Sequence, residues 1–176
     1  MNNTVPQGYR EVGAKRYREI VGFGYDDLTV GTTFEHRPGR TVTEADNMLM
    51  STLTGNAAPI HLDSHYAGQT EWGRILVCSI VTLGIVAGMT VRSTSGLTVA
   101  NLGLEDTKFE NPVFVGDTLY AETEVVCRRL SKSRPENGIV TCRTNGFNQA
   151  GKRVVMFTRT FLVPVEPNAV RDSTNY

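Results

Sequence analysis

From Leu119 to Val126 the chain alternates. Leu119, Ala121, Thr123 and Val125 fall on one side, and Tyr120, Glu122, Glu124 and Val126 on the other. A period of two predicts a half-buried β-strand. Ile139 to Phe147 and Val154 to Val163 are rich in β-branched and aromatic residues and predict two more strands. Asn148-Gln149-Ala150-Gly151-Lys152 joins them as a glycine-containing hairpin loop. Leu97 to Leu104 predicts a fourth strand, and Thr32 to His36 a short one ending near Pro38-Gly39. Ser131 to Gly138 reads as a polar loop.

Between the short strand and the strand-rich half the period changes. Ala45, Met48, Leu49, Thr52 and Leu53 share one face at helical spacing. Thr43-Glu44-Ala45-Asp46 places a capping pattern before them, and Gly55 and Pro59 stop the helix. Asp63 is a good N-cap for a short helix through Ser64, Tyr66, Ala67 and Thr70, and Trp72-Gly73-Arg74 reads as a turn. Ser79 to Val91 is apolar nearly all round, which predicts a helix wrapped by other structure. Gly84 and Gly88 cost helix propensity, and a close approach by a neighbouring backbone would explain both.

The order of elements predicts an α+β fold: a curved antiparallel sheet around one buried apolar helix. The 176 residues suit one domain. We place it at 22–165, after a polar extension, 1–21, that docks on the domain or on a partner subunit. The tail, 166–176, is expected to fray. The formal net charge of zero and a pI of about 6.8 imply neither a nucleic-acid nor an anionic-membrane partner. A small anionic ligand needs only a local patch. The longest apolar run, Ile75 to Val91, is short for a membrane span and broken by Cys78, Ser79, Thr82, Gly84, Gly88 and Thr90. Met1 to Ile20 carries no apolar stretch of the signal-peptide kind. Cys78, Cys127 and Cys142 have no metal-binding spacing and form no even framework. Cys127 and Cys142 read as core residues, and a reducing, cytoplasmic setting is expected.

The stretch Thr54-Gly55-Asn56-Ala57-Ala58-Pro59-Ile60-His61-Leu62-Asp63 packs a turn, a rigid proline and a histidine between two helices. It resembles the hydratase motif of the MaoC-like enoyl-CoA hydratases, roughly Gly-Asp-x-Asn-Pro-aliphatic-His, in which Asp and His hold and activate a water. Two further stretches carry the resemblance: Trp72-Gly73-Arg74 leading into the apolar helix, and Asn111-Pro112-Val113-Phe114-Val115-Gly116-Asp117-Thr118-Leu119. The likeness covers roughly residues 25–163. It implies a hotdog fold and a hydratase or dehydratase of acyl-CoA thioesters, with R stereochemistry at C3. It also implies a homodimer or higher oligomer, with no metal or redox cofactor and CoA arriving as part of the substrate. The chain departs from the motif at three places: Asn56 stands at the acid, Ala58 at the usual Asn, and Cys78-Ser79 at the usual His-Gly before the helix. Within the family it most resembles the mesaconyl-CoA hydratase (methylmalyl-CoA dehydratase) branch. That likeness rests on Thr41-Val42-Thr43-Glu44-Ala45-Asp46-Asn47 and on Asn56 followed by Pro59-Ile60-His61-Leu62-Asp63.

Hydration of an enoyl thioester needs a base for the water attacking C3, a proton for C2, and N–H donors for charge on the thioester oxygen. An imidazole titrates near neutrality, so His61 is the natural acid and base. Asn56 can hold the water but cannot take its proton. Either His61 carries more of the proton work than in Asp-containing relatives, or Asp63 or Asp46 completes the pair. By resemblance, the Ser79 backbone N–H is the oxyanion donor, and Gly55, Pro59 and Cys78 border the substrate. Plainer readings stand beside these. Asn56 and His61 could simply brace the turn. Asp63 is first a helix cap. His61 and His65 lack a third metal ligand, and Cys78 lacks a neighbouring base. His36 reads as a strand-end residue. Arg128, Arg129, Lys132 and Arg134 could meet CoA phosphates or form a solvated loop, and Arg92 or Arg40 could pair with a substrate carboxylate. A thioesterase on the same fold usually employs a carboxylate near the apolar helix, and none occurs from Trp72 to Leu104. A non-catalytic acyl-CoA-binding subunit is favoured by Asn56 alone.

Overall fold

The computed structural model describes residues 5–176; residues 1–4 of the expected extension lie outside them. In chain order the elements are the hairpin β1 (Tyr9–Gly13) and β2 (Arg16–Glu19), then β3 (Thr33–Thr41), α1 (Glu44–Thr54), α2 (Pro59–Leu62) and α3 (Ser64–Gly68). After these come α4 (Ser79–Met89), a π-helical turn (Val91–Ser95), β4 (Ala100–Phe109), β5 (Thr118–Leu130), β6 (Asn137–Phe147), β7 (Arg153–Pro164) and α5 (Pro167–Thr174). The five long strands form one antiparallel sheet in the order β3-β5-β6-β7-β4, so β3 and β4 are its edges.

The alternation in β5 is realised: Leu119, Ala121, Thr123 and Val125 are buried and their neighbours are not. Leu119 and Ala121 meet Val154, Val155 and Phe157 of β7 and Val81 and Val86 of α4 in one apolar cluster. A second cluster of Leu28, Val125, Val140, Cys142, Phe161 and Val163 fills the rest of the concave face. Phe157 and Phe161 are fully buried, each worth about 1.5–3 kcal/mol. Burial pushes the Cys142 thiol up to about 12, consistent with an inert core residue. Cys127, expected in the core, is exposed beyond a register shift in β5.

Several elements differ from the sequence expectations. β3 continues to Thr41 through a register shift at Pro38-Gly39. β4 starts at Ala100, because Leu97 is buried in the turn that follows the π-helical segment. The capping box of α1 is present, with Asp46 N–H bonded to Thr43 Oγ1 and Thr43 N–H to Asp46 Oδ2. Its buried residues are nevertheless Asn47 and Ser51, while Met48, Leu49 and Leu53 are exposed. α4 is buried only along Val81, Thr82 and Val86, and among the described residues nothing lies within 4 Å of an added Cβ at Gly84 or Gly88. The close approach is made elsewhere: a Cβ on Gly146 of β6 would lie 2.7 Å from Val86 Cγ2. The tail is helical, α5 spanning Pro167–Thr174. α5 docks by the buried Arg171, whose guanidinium donates to Gly22 O at 2.6 Å and Asn168 Oδ1 at 2.9 Å, while Arg10 of β1 pairs with Asp172.

Candidate active site

Three segments meet at the start of α4. Gly55 takes a left-handed conformation (φ 67°) that ends α1, and Pro59 opens α2 with its φ already suited to a helix. The chain therefore turns sharply between Asn56 and His61. Asn56 N–H bonds Ser51 O at 2.9 Å, and its side-chain Oδ1 accepts Ala58 N–H at 3.2 Å, closing an Asx turn. The amide nitrogen of Asn56 lies 3.3 Å from Cys78 Sγ, a weak acceptor.

His61 is half-buried, with Nδ1 2.8 Å from Leu76 O. A carbonyl only accepts, so Nδ1 carries the proton and Nε2 keeps its lone pair. Leu76 N–H returns a bond to Ile60 O at 3.1 Å, and Val77 N–H bonds Val113 O at 2.9 Å. The stretch Leu76-Val77-Cys78, which follows Trp72-Gly73-Arg74, thus touches the other two stretches that carry the family likeness.

Asn47 closes the Thr41–Asn47 stretch that carries the branch likeness, but no local pattern assigns it a role of its own. Its side chain is 1% exposed and used at both ends: Oδ1 accepts Cys78 N–H and Nδ2 donates to His61 O, both at 2.8 Å. It ties the histidine segment to the cap of α4 across separations of 31 and 14 residues. The one signal was its place in that stretch.

Cys78 is the N-cap of α4 and is buried, and its carbonyl takes the N–H groups of Val81 and Thr82. Ser79 and Ile80 precede any intrahelical acceptor, so their N–H groups carry the partial positive charge of the helix start. Both residues are exposed, and Ser79 lines a cavity of about 240 Å³ with Trp72, Leu76, Thr82, Asn111 and Pro112.

Neither Asp63 nor Asp46 bonds His61. Asp63 Oδ1 caps α3 through Tyr66 N–H at 2.9 Å. Burial works against ionisation of Asp46, but the Thr43 N–H, the Arg40 guanidinium and the Thr43 hydroxyl hold its carboxyl below the usual carboxylate range. His65 Nε2 meets Gln69 at 2.9 Å. His36 is buried rather than placed at a strand end, between Thr123 Oγ1 at 2.8 Å and Ser93 Oγ at 3.1 Å.

Beside the site a groove of about 670 Å³ runs between α1 and α4, lined by Leu49, Met50, Leu53, Val81, Ile85 and Met89. Arg40 and Asp46, paired at 2.6 Å, are its charged lining residues. Arg92, the other candidate for a carboxylate, pairs instead with Glu19 of β2. Arg128 is spent on the 23–28 segment, donating to Tyr25 O at 2.8 Å and stacking 4.7 Å over the Tyr25 ring.

A five-stranded antiparallel sheet curved over one helix, with a histidine and an amide at that helix's N-terminus, defines a hotdog domain. The family profile described as MaoC like domain matches residues 27–146, and the chain belongs to that family. It is similar to a mesaconyl-CoA hydratase of Cereibacter sphaeroides, 31% identical over 139 residues, covering 79% of this chain and 40% of that protein. It is likewise 31% identical over 111 residues to the (R)-specific enoyl-CoA hydratase of Aeromonas caviae, covering 63% of this chain and 78% of that one. A double-hotdog protein of Mycobacterium tuberculosis superposes with a TM-score of 0.75 at 27% identity, covering 83% of this chain and 45% of that one. The chain thus spans well under half of the mesaconyl-CoA hydratase it matches.

Proposed function

We propose that this chain is a hydro-lyase that adds water to a 2-enoyl-CoA, or removes it from the 3-hydroxyacyl-CoA. The observation that carries this reading is the 2.8 Å contact between His61 Nδ1 and Leu76 O, which fixes the tautomer of the neutral ring. With Nδ1 bonded to Leu76 O, three residues before α4, Nε2 of the neutral ring is an acceptor. Asn56, tied to Cys78 Sγ through one amide hydrogen, has a second to donate to a water oxygen. Ser79 N–H receives the thioester oxygen at the helix start.

In this reading His61 Nε2 takes a proton from the water as its oxygen bonds to C3. The C2–C3 π electrons move toward the thioester, whose oxygen gains charge against the Ser79 N–H. The imidazolium then returns the proton to C2 as that charge collapses. One group acts as base and then acid, so no second carboxylate is required, and the addition is redox-neutral. The names of the relatives support the reaction class. The mesaconyl-CoA relative supports a branched or dicarboxylic acyl group. We also infer a homodimer, supported by the uncovered face of α4 at Ile80, Gly84 and Gly88 and by exposed Leu102, Leu104 and Phe109 on edge strand β4.

The test follows enoyl-thioester absorbance with crotonyl-CoA and with mesaconyl-CoA while free thiol is assayed. Absorbance lost without thiol is the expected result, and faster loss with mesaconyl-CoA supports the dicarboxylic assignment. Thiol release would make the protein a thioesterase. No change at high protein concentration would favour a binding subunit, the alternative suggested by the engaged amide of Asn56.

A further inference from the structure

Past Ser79 the cavity at the helix start runs along Asn111 and Pro112, which also line a second cavity of about 170 Å³. That second cavity is basic: Arg74 comes from the turn before α4, and Lys152 from the hairpin loop between β6 and β7. Phe114, Asp117 and Asn148 complete it.

Arg74 is set in place. Its guanidinium carbon lies 3.8 Å over the Phe114 ring, which in turn packs on Trp72 with ring centroids 6.3 Å apart. The Lys152 loop is set as well: Asn148 N–H bonds Lys152 O at 3.0 Å, and Lys152 N–H bonds Asn148 Oδ1 at 3.1 Å. Neither cation is ion-paired among the described residues, whereas Arg153 beside them is paired with Glu110 at 2.8 Å. The one carboxylate in the cavity, Asp117, already accepts Phe114 N–H at 2.9 Å through one oxygen and Gln149 Nε2 at 2.8 Å through the other. A pre-positioned guanidinium and an ammonium, both exposed and both without a counter-charge, are suited to an oxyanion with several acceptors.

We infer that Arg74 and Lys152 bind the phosphates of the CoA nucleotide, with the pantetheine arm lying along Asn111 and Pro112 toward Ser79. The assignment rests on the acyl-CoA reading above and names the residues that hold the carrier. It moves the phosphates away from the Arg128–Arg134 segment, whose Arg128 is already engaged with Tyr25.

The experiment is calorimetric titration with CoA itself, which requires no turnover. Arg74→Gln/Lys152→Gln is expected to weaken CoA binding at least tenfold. Lys132→Gln/Arg134→Gln is expected to bind like wild type. Raising sodium chloride from 50 to 500 mM is expected to weaken wild-type binding several-fold. Because Arg74→Gln also removes a ring contact, Lys152→Gln alone is measured too and is expected to weaken binding by a smaller factor. Unchanged binding in the double variant, loss in Lys132→Gln/Arg134→Gln instead, or no CoA binding by wild type would each overturn the site. If crotonyl-CoA is not hydrated but CoA binding still depends on Arg74 and Lys152, the hydratase reading fails and this one stands.

Discussion

His61 is held at one nitrogen and free at the other, which is what a single acid–base group needs. The bond to Leu76 O contributes about 1 kcal/mol. His61→Ala is therefore expected to lower kcat by at least about 10²-fold and stability by only about 1 kcal/mol, read from turnover and urea unfolding. A loss of several kcal/mol with activity retained would make the residue structural. Asn56→Asp tests the amide: the carboxylate cannot donate to a water oxygen or to Cys78 Sγ. Turnover is expected to fall at least tenfold, on the scale of losing one oriented donor, and a gain would mark a decayed acid site. The spacing of Asn56, Pro59 and His61 made both residues legible in the sequence. Asn47 was legible only as part of the Thr41–Asn47 stretch, because its role comes from two bonds to distant segments that no local pattern encodes.

At the scale of elements, periodicity showed which residues of α1 share a face but not which face is buried. The apolar face looks into the groove, and the amide of Asn47 takes the inward position because the N-cap of α4 and the carbonyl of His61 need partners there. Asn47→Ala leaves those two groups without their partners, at about 1–3 kcal/mol each. The variant is expected to unfold at lower urea and to lose kcat, because the histidine segment and the start of α4 are no longer tied together. Unchanged kcat at full folding would remove Asn47 from the site. The frayed tail expected after Pro164 was likewise a local inference. What orders α5 is the burial of Arg171 against backbone carbonyls at Gly22 and Val21, about 150 residues earlier.

For the whole molecule, the sheet and its helix followed from the alternation in β5 and the all-apolar run at α4, while the edges and the open face of α4 depend on pairings outside the local pattern. An inferred homodimer of a 19.4 kDa chain is expected to show about twice that mass by light scattering, and a monomer mass at micromolar concentration would exclude it. His36 bridges β3, β5 and the π-helical turn, and it is expected to contribute to acid sensitivity. Burial, and then the charges of Arg159 and Arg37, lower its pKa from 6.5 to about 4. The folded state therefore refuses a proton that the unfolded chain accepts. Its contribution is present above pH 6.5 and is lost as pH falls toward 4. His36→Gln is expected to flatten that part of the stability profile in urea titrations, and an unchanged slope would place the acid sensitivity elsewhere.

The most direct measurement of the central claim is proton NMR of crotonyl-CoA incubated with the protein in deuterium oxide. Water addition through a single imidazole is expected to give 3-hydroxybutyryl-CoA with one deuterium at C2, formed by wild type and not by His61→Ala. Unchanged crotonyl-CoA with wild type, or equal product from both proteins, would contradict it.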